Sequence, residues 1–334
     1  MLKLGFIGAG GMARVYAERI ADMEDATVTG VASPNSAATF VEDYVPSATA
    51  YHEVDALCES GDVDAVAILT PTNTHADLVE IAATHGLDVL CEKPLARTMA
   101  EARTIENIVE ETGVSLMTAH VVRFFPEYAT TKARVDAGDI GEPGVVRTRR
   151  AFGFSGDRGW FDDVEQSGGA LLDLAVHDFD YLRWVFGDVE RVFTRRVEWT
   201  GEGRSEVALS TLRFESGVVG HVEVYTVEVP SVPFTTSFEI AGSEGLIEFD
   251  LDDIRPITYY TGDSMHVPRD PVGHDLPLRR DGYRRQLEEF VECSQAAADP
   301  PIGVREGIAS MRLSLAAMES AERGVPIAPE EVDA

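Results

Sequence analysis

The sequence predicts an α/β chain with two sheets of different character: a parallel sheet wound by helices over residues 1–120, and an α/β region with an open, mostly antiparallel sheet over 121–334. Three observations predict it. An apolar strand runs through a glycine turn into a helix over residues 4–13. Strand and helix then alternate repeatedly, and after residue 126 long β-like runs separated by hairpin signals take over. A length of 334 residues suits two domains better than one.

The first strand carries Leu2, Leu4, Phe6 and Ile7, and the helix after it carries Met12, Val15, Tyr16, Ile20 and Met23 at helical spacing. Between them Gly8, Gly10 and Ala13 occupy the positions of a G-x-G-x-x-G/A turn, with Gly11 and Met12 inside it. The first glycine permits a tight turn, the second lets backbone approach a pyrophosphate, and the alanine lets helix and strand pack closely. The helix N-terminus then offers its amides to the anion. A strand at 26–32, a helix at 36–44, a strand at 65–69, a helix at 76–84 and a strand at 88–91 supply the context this motif requires. An acidic residue ~20 positions beyond the glycines would hold the ribose 2′-OH of NAD. Ser33 stands there instead, and a neutral hydroxyl does not repel a 2′-phosphate. The balance therefore tips slightly toward NADP over NAD, with Ser33, Asn35, Ser36 and Arg14 as candidate contacts.

The strand at 65–69 runs into Thr70-Pro71-Thr72-Asn73-Thr74-His75, a polar loop expected beside the dinucleotide. Thr98 and Glu101 read as a capping box for a helix ending near Gly113. Between that helix and the strand at 88–91 lies Cys91-Glu92-Lys93-Pro94. The chain keeps three lysines, Lys3, Lys93 and Lys132, against twenty-five arginines. One retained at the end of a strand, where open α/β sheets bind ligands, singles out Lys93.

After 120–126 a helix at 127–137 precedes β-like runs at 145–154, 190–199, 207–214, 218–227, 234–241 and 246–251. Glu215-Ser216-Gly217 and Gly242-Ser243-Glu244-Gly245 are hairpin signals between them. Residues 255–280, rich in Pro, Asp and His, read as a long loop, and 283–298 and 304–323 have helical periodicity. One helix, 168–184, interrupts the strands and is too apolar for a simple surface helix. Asp173, His177 and Asp180 fall on it at i, i+4 and i+7, in one stripe. Polar groups on such a face need partners or a function. They form either a satisfied core network or a working site. A zinc or manganese site would need a further His, Cys or carboxylate motif, which is missing, so no metal is expected.

Cys58, Cys91 and Cys293 are odd in number and unpatterned, which suggests neither a disulfide framework nor a thiolate cluster. No run approaches the ~20 apolar residues of a membrane span, and the chain opens directly on a strand, so a cytoplasmic protein is expected. The formal net charge of −30 repels nucleic-acid phosphates and anionic membranes, excluding them as partners. With so little lysine it points to a salt-accumulating halophile, where at molar salt the Debye length shrinks to about 3 Å.

Taken together, Gly8-Ala9-Gly10-Gly11-Met12-Ala13, the Thr70–His75 loop, Glu92-Lys93-Pro94, Arg123-Phe124, residues 168–180 and residues 316–326 resemble the Gfo/Idh/MocA oxidoreductases. The resemblance implies a Rossmann domain followed by an α/β domain whose open sheet face makes homodimer or homotetramer contacts. It places Lys93, Asp173 and His177 at the family's catalytic positions, and Glu92, Lys93 and Arg123 beside the cofactor. Ala175 stands where many members have glycine.

The residues themselves suit that chemistry. Oxidising a secondary alcohol sends hydride to nicotinamide, the hydroxyl proton needs an acceptor, and charge developing on oxygen needs stabilisation. An imidazole, titrating near ~6.5 when unperturbed, suits proton transfer at His177. The Lys93 ammonium suits the oxygen. Asp173 would orient the imidazole or hold a neighbouring hydroxyl. The expected substrate is a sugar, cyclitol or related polyhydroxy compound. Lys93, Arg123, Phe154, Arg158, Trp160, Asp173 and His177 are its candidate contacts, the aromatics stacking on sugar faces and the arginines favouring a carboxylate or phosphate substituent. Two other classes share these features, a non-catalytic nucleotide-sensing protein of the same fold and a metal-dependent hydrolase or lyase.

Overall fold

The computed structural model describes residues 1–156, 158–200, 204–251, 257–261, 264–266 and 281–333. In chain order the first elements are β1 Leu2–Ile7, α1 Gly11–Ile20, β2 Ala26–Ala32, α2 Ala37–Tyr44, β3 Thr49–Tyr51 and α3 Val54–Cys58. They continue with β4 Ala65–Ile68, α4 His75–Thr84, β5 Asp88–Glu92, α5 Met99–Thr112 and β6 Leu116–Ala119. Next come α6 Pro126–Asp136, β7 Pro143–Gly153, α7 Val164–Ser167, α8 Gly169–Asp173 and α9 Val176–Phe186. Strands β8 Val189–Thr200, β9 Arg204–Phe214, β10 Val219–Val227, β11 Thr235–Gly242, β12 Gly245–Asp250, β13 Ile257–Thr261 and β14 Ser264–His266 lead to helices α10 Gly282–Ala296 and α11 Val304–Arg323.

The contacts divide the chain into two compact units, Met1–Val121 with Tyr283–Ile308, and Val122–Gly282 with Ala309–Ala334. The first holds a six-stranded sheet in the order β3-β2-β1-β4-β5-β6, every neighbouring pair parallel. Its central strands are continuous apolar runs, because helices cover both faces of such a sheet. Leu4, Phe6, Val66, Ala67, Val89 and Leu90 are fully buried, and a large aliphatic or aromatic side chain buried this way contributes about 1.5–3 kcal/mol. The strand order reverses direction at β1, so the crevice at the carboxyl ends of β1 and β4 is the switch point where such sheets bind ligands.

The second unit holds an eight-stranded sheet, β14-β13-β12-β11-β7-β10-β9-β8, antiparallel except for β7 with β10. Its core is aromatic. Tyr128 of α6 meets Tyr181 of α9 edge-on at 4.8 Å, and Phe238 stacks on Phe249 at 5.1 Å. Buried Tyr128 shares a hydrogen bond with Thr236 at 2.7 Å, which satisfies its hydroxyl.

Three differences from the sequence expectation have physical causes. The short β3, α3 and β6 lack the length over which a period can be read. The expected loop at 255–280 contains strands β13 and β14, where Tyr259 and Tyr260 pair across to β12; residues 255–256, 262–263 and 267–280 lie outside the described residues. The expected single helix at 168–184 is divided. The Ala170 carbonyl accepts from the N–H groups of both Leu174 and Ala175, an i+5 closure that adds a residue to the turn and separates α8 from α9.

The three cysteines are free and buried, and burial pushes the Cys58 thiol up to about 11. Among the described residues no helix is long and apolar enough to cross a membrane.

Candidate functional site

In the first unit the predicted residues gather at the carboxyl edge of the parallel sheet. Gly8 follows β1 with φ +108°, and a Cβ there would stand 2.5 Å from the Leu69 carbonyl oxygen at the end of β4. Only glycine fits a turn this close. Gly10 and Gly11 are the opposite case, with nothing within 4 Å of an added Cβ, so their backbone is open to a ligand. Gly10 is the N-cap of α1 and makes no side-chain cap hydrogen bond. The first amides of the helix, at Gly11, Met12 and Ala13, are left to an anion. Ala13 is itself fully buried, as close packing of helix on strand demands.

Ser33 lies at the end of β2, its N–H donating to the Tyr51 carbonyl at 3.1 Å. Asn35 and Ser36 are exposed, and Ser36 does not spend its hydroxyl on capping α2. Arg14 lies along α1, donating to Glu18 at 3.0 Å with its guanidinium 5.8 Å from the Tyr44 ring centroid. In the loop after β4, Thr70 and Thr74 share a hydrogen bond at 2.7 Å, Thr74 bonds the Pro71 carbonyl, Thr72 is buried and Asn73 is exposed.

His75, expected beside the cofactor, is completely buried and acts as a brace. Its Nδ1 lies 3.0 Å from the Pro94 carbonyl and 3.3 Å from that of Leu95, and its Nε2 lies 3.1 Å from the Thr70 carbonyl. The ring thus ties the loop after β4 to the loop carrying Lys93. Burial holds its titration below the ordinary histidine value against the three carbonyls, which favour the protonated form. The adjoining Lys93–Pro94 peptide is cis. Glu92 is buried; it accepts from the Lys93 N–H at 3.2 Å and from the Tyr16 hydroxyl at 2.8 Å, and Tyr16 accepts in turn from Gln286 at 2.7 Å. Glu92 and His75 therefore hold the backbone on both sides of half-buried Lys93.

In the second unit Asp173 ends α8, while His177 and Asp180 lie on α9. Asp180 is fully buried and holds Arg123 in a two-pronged pair at 2.6 and 2.8 Å, with the guanidinium 5.5 Å from the Trp184 ring. Arg123, expected at cofactor and substrate, thus has two of its nitrogens on the buried Asp180 carboxylate. His177 is partly exposed on the first turn of α9.

Asp173 lines a small recess with Arg158, Phe161, Gly169, Ala170, Leu174, Arg204, Glu206 and Thr226. Arg158 lies over the Phe154 ring at 4.0 Å and donates to Asp162 at 2.8 Å. Phe154 is buried beneath it, and Trp160 stacks on Phe161 at 4.0 Å. Glu206, 1 % exposed, reaches the recess because Gly169, at φ +71°, has no Cβ. One added there would meet Glu206 Oε2 at 2.8 Å. That oxygen accepts from the Ala170 N–H at 2.9 Å. Burial pushes the Glu206 carboxyl up against the pull of this amide and of Arg196 and Arg204.

Glu206, Arg204, Asp162 and Thr226 were not among the expected residues. For Glu206 a signal existed, because it falls in phase with the buried Ala208, Ser210, Leu212 and Phe214 along β9. A carboxylate on the inward phase of a strand needs a reason to be there.

Residues 2–120 match the family described as "Oxidoreductase family, NAD-binding Rossmann fold", and residues 128–248 match the "GFO/IDH/MocA C-terminal domain". The chain is 28% identical to myo-inositol 2-dehydrogenase of Thermotoga maritima, over 99% of either sequence. It is 29% identical to D-xylose 1-dehydrogenase (NADP(+)) 2 of Haloferax volcanii, over 97% of this chain and 98% of that one. A crystal structure of a probable dehydrogenase from Thermotoga maritima superposes with a TM-score of 0.84 at 26% identity, covering 99% of this chain and 100% of the other.

Proposed function

The chain belongs to the Gfo/Idh/MocA oxidoreductases, and we propose that it is an NAD(P)-dependent dehydrogenase or reductase. It moves a hydride between nicotinamide and a secondary alcohol or ketone of a sugar, cyclitol or related polyhydroxy compound, as the names of its inositol and xylose dehydrogenase relatives indicate. The observation that carries the reading is the turn after β1. Gly8 closes against the Leu69 carbonyl, and Gly10 and Gly11 leave the start of α1 bare for a pyrophosphate.

These residues fit a dinucleotide, with Ser33, Asn35 and Ser36 disposed to the ribose edge and Thr70 to Asn73 beside it. Ser33 in place of an acidic residue, together with the NADP(+) in the name of the Haloferax relative, supports a slight preference for NADP. When bound, the nicotinamide supplies the hydride acceptor or donor. The chain's own residues manage the proton and the charge. His177 takes the hydroxyl proton during oxidation and returns it during reduction. The Lys93 ammonium, on a backbone held by Glu92 and His75, hydrogen-bonds the reacting oxygen as negative charge develops. Asp173 orients the reacting group from the recess.

The Val197, Trp199, Leu209 and Val219 side chains, exposed on the second sheet, support a homodimer or homotetramer. The acidic, lysine-poor composition supports a cytoplasmic protein of a halophile. The test is a panel of sugars and polyols assayed in high salt with NAD and with NADP, following reduced nicotinamide. We expect turnover with at least one of them, and a loss of roughly 10²- to 10⁴-fold in kcat for His177→Ala. Near-normal turnover in that variant would remove the imidazole from the mechanism.

A further inference from the structure

Gly8 and Gly10 follow β1 and Lys93 follows β5, so the parallel sheet reaches from the dinucleotide cradle to the lysine only through β4. A buried path of side chains joins them directly. Tyr16 lies on α1, the helix whose first amides face the pyrophosphate; it is fully buried and its hydroxyl donates to Glu92 Oε1 at 2.8 Å. The other carboxylate oxygen, Oε2, accepts from the Lys93 N–H at 3.2 Å. Gln286 of α10 supports the path from behind, its amide nitrogen donating to the Tyr16 oxygen at 2.7 Å.

Proton count fixes the direction of each bond. A carboxylate only accepts, a tyrosine has one proton to give, and an amide nitrogen only donates. With the Tyr16 proton on Glu92, Gln286 must turn its nitrogen to the hydroxyl, and among the described residues its carbonyl oxygen is left buried with no hydrogen bond. A fully buried side chain that forgoes one bond to supply another calls for a reason beyond its own packing. Burial, and after it the Glu92 charge, hold the Tyr16 phenol well above its ordinary range, so the hydroxyl stays a donor. The ring packs against Tyr283, with 6.2 Å between centroids.

From this path, and resting on the oxidoreductase reading above, we propose that Tyr16 and Gln286 are positioning residues for the reaction. They fix the Glu92 carboxylate, which fixes the backbone carrying the Lys93 ammonium. The helix that receives the pyrophosphate is thereby tied to the group that meets the reacting oxygen.

A chain with three lysines makes the test direct. Acylation by a small anhydride, read by peptide mass spectrometry on the nucleotide-free full chain in high salt, follows Lys93 with Lys3 and Lys132 as internal references. Tyr16→Phe keeps the ring and deletes the hydroxyl. It is expected to raise the Lys93 rate several-fold and to leave both references unchanged. In turnover it should lower kcat about 10-fold, short of the ~10²-fold that a 1 Å misplacement can cost, with KM for the nucleotide within about 2-fold. In a Lys93→Ala background the same change should cost nothing further, because its effect passes through the lysine. Gln286→Glu keeps the shape but sets two acceptors on one hydroxyl proton, and should repeat the Tyr16→Phe result. An unaltered Lys93 rate in Tyr16→Phe would overturn the proposal, as would an equal kcat loss in both backgrounds. Wild-type protein inactive on every substrate would strike the oxidoreductase reading instead, and the labelling rates would still decide the positioning.

Discussion

The nucleotide cradle of the first unit is built from backbone, whereas the recess of the second is built from charged side chains. At the cradle, Gly8, Gly10 and Gly11 contribute by having no side chain, and the groups offered to a ligand are amides of α1. At the recess, Arg158 comes from the segment after β7, Asp173 from α8 and Glu206 from β9, and what they offer is charge in a fixed pattern. A backbone site depends on a few adjacent residues. A side-chain site depends on every counter-ion around it, since each charge withdrawn from water must be matched. The second unit therefore concentrates its vulnerability in buried pairs, and the first in tight turns.

The contrast can be broken at several points. Arg123→Ala leaves Asp180 buried without its two-pronged partner, and should cost about 3–5 kcal/mol in chemical unfolding. Asp180→Asn added to it should recover part of the loss, and a cost below about 1 kcal/mol would show that this pair is not a buried one. Gly8→Ala forces a Cβ toward the Leu69 carbonyl at an unfavourable φ. It should cost roughly 1–3 kcal/mol and abolish dinucleotide binding. Gly10→Ala should change stability by under about 0.5 kcal/mol while weakening the dinucleotide, because its Cβ meets open space in the protein. Equal losses of stability for the two glycines would contradict the distinction between turn and cradle.

The smallest effect lies at His75 and sharpens the comparison through pH. Its folded titration is pushed below the unfolded value of ~6.5. Between those two values the unfolded chain holds more protons, so the stabilisation is fully present above the unfolded value and declines as the pH falls toward the folded one. Urea midpoints of the wild type should drop over that window more steeply than those of His75→Gln. Parallel slopes would show that the imidazole is not the titrating brace.

Much of the fold was legible because its signals are local. The capping box at Thr98 and Glu101 formed as expected, with both reciprocal hydrogen bonds present. Strand β2 spans Ala26–Ala32 as read, since its alternation and flanking turns lie within one short stretch. The helix at 168–184 was read as one because helical spacing assumes an unbroken helix, and a single doubly accepting carbonyl at Ala170 divides it. Asp180 then turned inward to Arg123, fifty-seven positions away in sequence. No periodicity announces such a pair. Glu206 was missed for a related reason, in that the strand was read to begin one residue after it, which hid its inward phase.

What the sequence by itself determined was the alternation of strands and helices, the glycine turn after β1 and the isolated Lys93 at a strand end, because these depend on side-chain period and backbone freedom within a few neighbouring residues. Only the tertiary structure decided which charges neutralise one another. His75 became a buried brace, Arg123 the partner of Asp180, Arg158 the partner of Asp162 and Arg204 that of Glu198. Coulomb pairing acts through space between segments far apart in the chain, and burial decides its strength.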